Sequence, residues 1–214
     1  DPGVYEVERF AGGYDHSCVV YRKTGATVAA VECWGNNPEN QTGLTGKTYV
    51  ESPSEVQGTA SQLGFGNIEL SAGNQHTCAI IDKKDLVCWG KNDVGQAVPG
   101  SDVPASPKKN DLPLAMQGSL SGLSLGGNVS CFITAVSGQP PRAVCFGDKQ
   151  GPLGRALNEE NLDFGFVAGI KDVTSIAVGG SHVCAIARGM ADPPNAPMSV
   201  FCWGSNAAKQ IDPN

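Results

Sequence analysis

The stretch Ile68-Glu-Leu-Ser-Ala-Gly73-Asn-Gln-His76-Thr-Cys78-Ala-Ile-Ile81-Asp-Lys-Lys-Asp85-Leu-Val-Cys88-Trp89-Gly90 decides the fold. Two short β-prone runs flank a polar turn, which is the pattern of a hairpin. With Cys78 set opposite Cys88, Ala79 faces Val87, Ile80 faces Leu86, and Asp82-Lys83-Lys84 is left as the loop. Opposed strand positions lie about 4.5–5.5 Å apart at Cα, within reach of a disulfide. A further strand at 69–72 precedes the hairpin and ends in Gly73, where glycine allows a positive φ or a close backbone approach.

The formula occurs four times: Gly, His three residues on, Cys two further, and later Cys-aromatic-Gly. The copies are Gly13–His16–Cys18 with Cys33-Trp34-Gly35, then Gly73–His76–Cys78 with Cys88-Trp89-Gly90. Next come Gly126–Val129–Cys131 with Cys145-Phe146-Gly147, and Gly179–His182–Cys184 with Cys202-Trp203-Gly204. The first Cys recurs after 60, 53 and 53 residues, the spacing of a repeat architecture. All eight Cys, three Trp and three His fall inside the formula, which leaves little for chemistry outside it.

Pairing within each copy gives Cys18–Cys33, Cys78–Cys88, Cys131–Cys145 and Cys184–Cys202, closing rings of 16, 11, 15 and 19 residues. Chain entropy gives each ring roughly 3 kcal/mol. Disulfides persist outside the cytosol, so the expected location is extracellular, cell-surface or periplasmic, with any leader already removed. Sequons at Asn40 and Asn128 fit a secretory route.

The expected organisation is one domain over 1–214, with repeats at 4–43, 66–96, 119–151 and 172–210. A strand precedes each hairpin, at 8–10, 69–72, 123–125 and 173–178. The connectors 38–66, 94–119 and 150–170 are rich in Gly, Pro and Ser and hold at most one short strand each. The only helix-like stretch, 155–162, is short and stops near Gly165. Four antiparallel strands in roughly 50 residues, arranged radially, make an all-β propeller with one disulfide per blade. Four blades form either a small closed ring or an open arc. The last repeat shortens after Ile211, so its outer strand is either missing or drawn from residues near 4–7.

Composition excludes several classes. The net charge is −6 and no basic stripe exists, so nucleic acid is not an expected partner. No apolar run reaches the roughly 18–20 residues of a membrane span.

At these residues the chain resembles the regulator-of-chromosome-condensation repeat family. That family carries Gly-x-x-His, then Trp-Gly-x-Asn, and a Gly-Gln that closes the blade. Gly95-Gln96 matches it, with fragments at Gln41-Thr42-Gly43, Gln150-Gly151 and Gln210. The resemblance runs from about Phe10 to Gln210 and implies a propeller, usually of seven blades. Its cysteine-bearing version resembles secreted bacterial repeat proteins and the ectodomains of crinkly-type plant receptor kinases. A secreted β-lactamase inhibitor protein is also built from such repeats.

A catalytic His is normally singular, beside a nucleophile and an orienting acid. His16, His76 and His182 recur at one position, and Val129 replaces the His in the third copy, so they read as architectural. Zinc on His-x-Cys…Cys is disfavoured for the same reason, because the third copy keeps both Cys without the His. No cofactor is implied. Trp34, Trp89, Phe146 and Trp203 are expected to pack against the adjoining disulfide and the next blade. Gly13, Gly73, Gly126 and Gly179 complete the structural set. Contact residues are expected in the loops, at Lys108, Lys109, Pro140, Pro141, Arg142, Pro193 and Pro194, within tips 22–28, 137–142 and 189–198 and connector 99–113. The function these features support is a non-enzymatic scaffold that binds a protein partner or assembles with itself. A secreted enzyme inhibitor and a carbohydrate-binding lectin are the alternatives.

Overall fold

The computed structural model describes residues 4–56, 66–99, 106–155 and 164–211. The chain forms four antiparallel sheets, each an up-and-down meander. The first holds β1 (Tyr5–Gly12), β2 (His16–Lys23), β3 (Ala29–Asn36) and β4 (Tyr49–Glu55). The second holds β5 (Ile68–Ala72), β6 (His76–Ile81), β7 (Asp85–Gly90) and β8 (Lys108–Lys109). A 3₁₀ turn at Leu114–Met116 leads into the third, made of β9 (Ser119–Gly126), β10 (Val129–Ala135), β11 (Arg142–Gly147) and β12 (Gly165–Phe166). The fourth has three strands, β13 (Ile170–Val178), β14 (His182–Gly189) and β15 (Ser199–Gly204).

Residues near 4–7 do not supply an outer strand to the fourth sheet. They begin β1, which pairs with β2 from Tyr5↔Lys23 onward. Of the helix-like stretch 155–162, only Arg155 lies within the described residues, and it is not helical.

In the central hairpins Cys18 stands opposite Cys33, Cys78 opposite Cys88, Cys131 opposite Cys145 and Cys184 opposite Cys202. All four opposed pairs are disulfide-bonded.

The sheets stack in chain order. β1 packs beside β5, β5 beside β9, and β9 beside β13. Each junction encloses its own apolar core. The first joins Val20, Val31 and the Cys18–Cys33 pair to Leu70, Ile81 and Trp89. The second joins Ile80 and Leu86 to Phe132 and Phe146, and the third joins Val129 and Ile133 to Ile176 and Val183. Each sheet therefore has a leading face toward the sheet before it and a trailing face toward the sheet after it.

Strand alternation sends neighbouring residues to opposite faces. This corrects one expectation: Trp89 does not lie against its own sheet's disulfide. Cys88 faces the third sheet, while Trp89 faces back to the first.

Candidate functional site

One set of side chains closes each seam. His16 Nε2 meets Thr77 Oγ1 of the next sheet at 2.8 Å, and His76 Nε2 meets Ser130 Oγ at 2.9 Å. The hydroxyls in turn donate to backbone carbonyls of the preceding sheet's turn: Thr77 to Gln41 at 3.0 Å and Ser130 to Gln96 at 2.7 Å. A hydroxyl has one hydrogen, so each must accept from the imidazole, which fixes the Nε2–H tautomer. Trp89 Nε1 also donates to the Gln41 carbonyl, at 3.0 Å.

The departures of the third copy now have a physical reason. Val129 replaces the His, and the residue it would reach in the fourth sheet is Val183 rather than Ser or Thr. Both polar members are absent together, and both Val side chains are at most 2% exposed. There the accepting carbonyl is Pro152, and Trp203 Nε1 alone supplies it, at 2.8 Å. In the second seam Phe146 has no N–H, and Ser130 alone supplies Gln96. Every seam carbonyl thus keeps at least one donor, as buried acceptors require.

The glycines divide into two kinds. A Cβ on Gly73 would lie 2.2 Å from His76 Cε1, and one on Gly13 would lie 2.2 Å from His16 Cε1. The Gly-x-x-His spacing exists because the imidazole folds over its own glycine; Gly179 and His182 repeat this. Gly126 has no His to accommodate, and the backbone of Val178 and Gly179 approaches it instead. Sequence reading missed the second kind, the last residue of Cys-aromatic-Gly. Gly35, Gly90, Gly147 and Gly204 have φ of 111°, 95°, 116° and 108°. Three of them lie against the turn of the preceding sheet, near Gln41, Gln96 and Pro152.

Burial holds His16 and His76 neutral, lowering their pKa values to about 4 and about 3. Asp15 partly opposes the shift at His16, and His16 adds to that at His76. Neither acts as an exposed acid or base. The cysteine sulfurs are all spent in disulfides. Among the described residues no group of three His, Cys, Asp or Glu is placed to hold a metal. A cleft of about 790 Å³ between the third and fourth sheets is lined by Leu153, Ile170, Phe201 and Trp203, with Lys149 and Arg155. Among the described residues no His or carboxylate lines it.

The loop candidates are spread over three sheets. Lys108 and Lys109, read as loop residues, form the outer strand β8, opposite Cys88 and Val87, and Lys109 pairs with Asp85 at 2.8 Å. Arg142 begins β11 and stacks over Phe166 at 4.8 Å, so it is also not a free loop side chain. Pro140 is exposed and Pro141 half-buried at the β10–β11 tip; Pro193 and Pro194 are exposed at the β14–β15 tip. That last tip is pinned by Arg188 Nε to Ala196 O and Lys171 Nζ to Asp192 O, both at 2.6 Å. Asn40 lies in the turn after β3 with φ 59°, and Asn128 in the β9–β10 turn; both are half-buried.

The outer faces of the row are open. On the leading face of the first sheet Val7 and Phe10 are 69% and 63% exposed. Beside them lie the half-buried Val19, Tyr21 and Trp34, with the Phe10 and Trp34 rings 6.0 Å apart. On the trailing face of the fourth sheet Val200 is 69% exposed, and the Cys184–Cys202 disulfide is half-buried. Cysteines of the other three disulfides are fully buried.

A family model, the regulator of chromosome condensation (RCC1) repeat, matches residues 68–96. The human protein described as probable E3 ubiquitin-protein ligase HERC6 is 32% identical over 157 residues, covering 71% of this chain and 15% of that protein. Human WBSCR16 superposes with a TM-score of 0.66 at 19% identity, over 92% of this chain and 52% of that one. Yeast RCC1 (Prp20), solved bound to Kap60, gives 0.64 at 18% identity, over 94% and 44%. The chain therefore spans about half the length of these structures and a small part of HERC6. The repeated Gly-x-x-His and Cys-aromatic-Gly and these matches together support an RCC1-like repeat family for the chain.

Proposed function

We propose that this chain is a non-enzymatic protein-binding scaffold: a row of propeller blades, each bridged by its own disulfide, working in an oxidising compartment such as the extracellular space. The observation that carries this is the pair of apolar outer faces, with Val7, Phe10 and Val200 in solvent where their counterparts inside the row are buried. Exposed apolar patches on a folded protein mark binding surfaces. The blades are stiff, each with its own disulfide, and stiffness lowers the ordering cost of association. The exposed tips around Pro140 and Pro193 and the edge lysines Lys108 and Lys109 supply further contacts. Yeast RCC1 (Prp20), which shares this fold, has been solved bound to another protein, Kap60. His16 and His76 are committed to seams, which weighs against their acting as catalysts.

The test is a parallel screen of the purified chain against a panel of secreted proteins, a glycan array and a panel of hydrolase substrates. Saturable protein binding that survives single replacement of each His is the expected result. Glycan binding competed by free sugar would establish the lectin alternative, and turnover would establish an enzyme. Inhibition of one enzyme in the panel would narrow the scaffold to an inhibitor.

A further inference from the structure

Two of the three internal seams are closed by a buried imidazole, and one is not. His16 and His76 are 4% and 0% exposed, each ring set between two sheets. Each Nε2–H donates to a hydroxyl whose own hydrogen is spent on a carbonyl, Thr77 on Gln41 and Ser130 on Gln96. The other ring nitrogen, Nδ1, is buried in both residues and has no hydrogen-bond partner in either. It lies folded against the residue's own glycine, Gly13 or Gly73. In the third seam Val129 and Val183 take both places, 2% and 0% exposed, and the contact is apolar.

A second proton on either ring finds no acceptor. At Nδ1 it makes a buried cation with an unpaired N–H, and burying a charge unpaired is costly. Beside His16 stands Asp15, but its Oδ1 is 3.9 Å from Nδ1, beyond hydrogen-bond reach. The carboxylate already accepts from Gln41 Nε2 at 3.3 Å and from Asn36 Nδ2 at 2.7 Å. Burial lowers the pKa of His16 and Asp15 opposes that only in part; His76 is lowered by burial and then by His16. Glu39, Glu69, Lys91, Asp93 and Asp148, on the strands and turns around the two rings, leave no mark on either. β9 and β10, which cover His76, carry no charged residue. An opened seam returns its ring to water and to the ordinary pKa of 6.5, whereas the closed seam holds it at about 4 for His16 and about 3 for His76. Protons therefore favour the open form as pH falls below 6.5. From there down to the closed-state values, each pH unit shifts the seam toward opening by about tenfold.

We propose that the first and second seams are acid-sensitive hinges: mild acid loosens the first sheet from the second and the second from the third, and leaves the third and fourth clamped by their valines. The hinges lie inside the row and work whether or not the scaffold reading holds.

The two kinds of seam carry matched reporters. The Trp89 indole N–H donates across the first seam to the Gln41 carbonyl at 3.0 Å, and the Trp203 indole N–H across the third to the Pro152 carbonyl at 2.8 Å. Leu125 N–H donates across the second seam to Ser71 Oγ at 3.0 Å, and Val178 N–H across the third to Ser124 Oγ at 2.9 Å. All four bonds run between sheets, so each breaks when its seam opens.

Hydrogen exchange followed by NMR on the full chain, disulfides intact, is the test. Rates at about pH 7 and about pH 5.5, both above the ordinary carboxylate range, are divided by those of unstructured peptides at the same pH. Trp89 and Leu125 are expected to speed up by roughly tenfold on the drop, while Trp203 and Val178 stay level. His16→Val with Thr77→Val rebuilds the first seam in the manner of the third: the Gln41 carbonyl keeps Trp89 as donor, as Pro152 keeps Trp203. That variant is expected to lose the acid response at Trp89 and keep it at Leu125. Equal gains at all four reporters would mean that acid unfolds the chain as a whole, and would overturn the proposal. Level rates throughout would overturn it too, as would a folded variant whose Trp89 still responds. The wild-type comparison decides the matter even where the double variant fails to fold.

Discussion

The Gln41 carbonyl gives the sharpest test of how a seam is held. It is fully buried and receives two donors, the Thr77 hydroxyl and the Trp89 indole, each at 3.0 Å. Thr77→Val keeps the side-chain shape, leaves the carbonyl one donor and orphans the His16 Nε2–H. An unsatisfied buried group costs about 1–3 kcal/mol. Trp89→Phe copies the residue found at Phe146 and again leaves one donor, at a cost of about 1–3 kcal/mol, mostly packing. Together the two substitutions leave the carbonyl with none. The double variant should therefore lose about 1–2 kcal/mol beyond the sum of the singles, the penalty for an orphaned acceptor. Urea unfolding with the disulfides intact measures all four corners of the cycle. Additivity within about 0.5 kcal/mol would refute the reasoning. It would show that the two donors do not share one acceptor, or that water replaces them.

Three further outcomes follow from the same geometry. Because His16 and His76 are held neutral with pKa values lowered to about 4 and about 3, the unfolded chain binds protons that the folded chain does not once pH falls below about 6.5. Stability is full above that value and falls by about 1.4 kcal/mol per pH unit per histidine as pH drops toward 5, and His76→Val should halve the slope in urea titrations. Limited reduction with alkylation and mass spectrometry should label Cys184 and Cys202 first, because theirs is the half-buried disulfide while the other three are fully buried; simultaneous labelling of all four would contradict it. Gly73→Ala should cost about 2 kcal/mol or more, since its Cβ meets the His76 ring, whereas Gly12→Ala, with nothing within 4 Å, should change the melting temperature little.

Much of the fold is legible in one repeat. The hairpin register follows from Cys78 and Cys88, because opposed strand positions are the only near approach that the Asp82–Lys84 turn allows. The Gly-x-x-His spacing is local, a ring folded on its own glycine. What joins one sheet to the next is not legible in the same way. Thr77 and Ser130 are ordinary strand residues until their histidines, 61 and 54 residues earlier, are seen beside them. The residue after each His, or after Val129 in the third copy, carries the signal, Ser, Thr, Ser and Val in order, but only set against the preceding copy does it make sense. The facing of Trp89 was misread because adjacency in sequence was taken for adjacency in space, which strand alternation forbids. Lys108-Lys109 looked like loop because its connector is rich in Pro; two residues suffice to pair with β7, and nothing in their chemistry announces it. The exposure of Phe10 and Val200 depends on how the sheets stack, and is visible only in the folded chain.

The central claim is a row of sheets, each bridged across its own central hairpin and joined to its neighbours by seam contacts alone. Non-reducing peptide mapping of the protein recovered from an oxidising compartment tests it most directly. The account predicts four linked peptides, joining Cys18 to Cys33, Cys78 to Cys88, Cys131 to Cys145 and Cys184 to Cys202. A cysteine linked to another sheet, or free thiols throughout, would contradict both the architecture and the compartment.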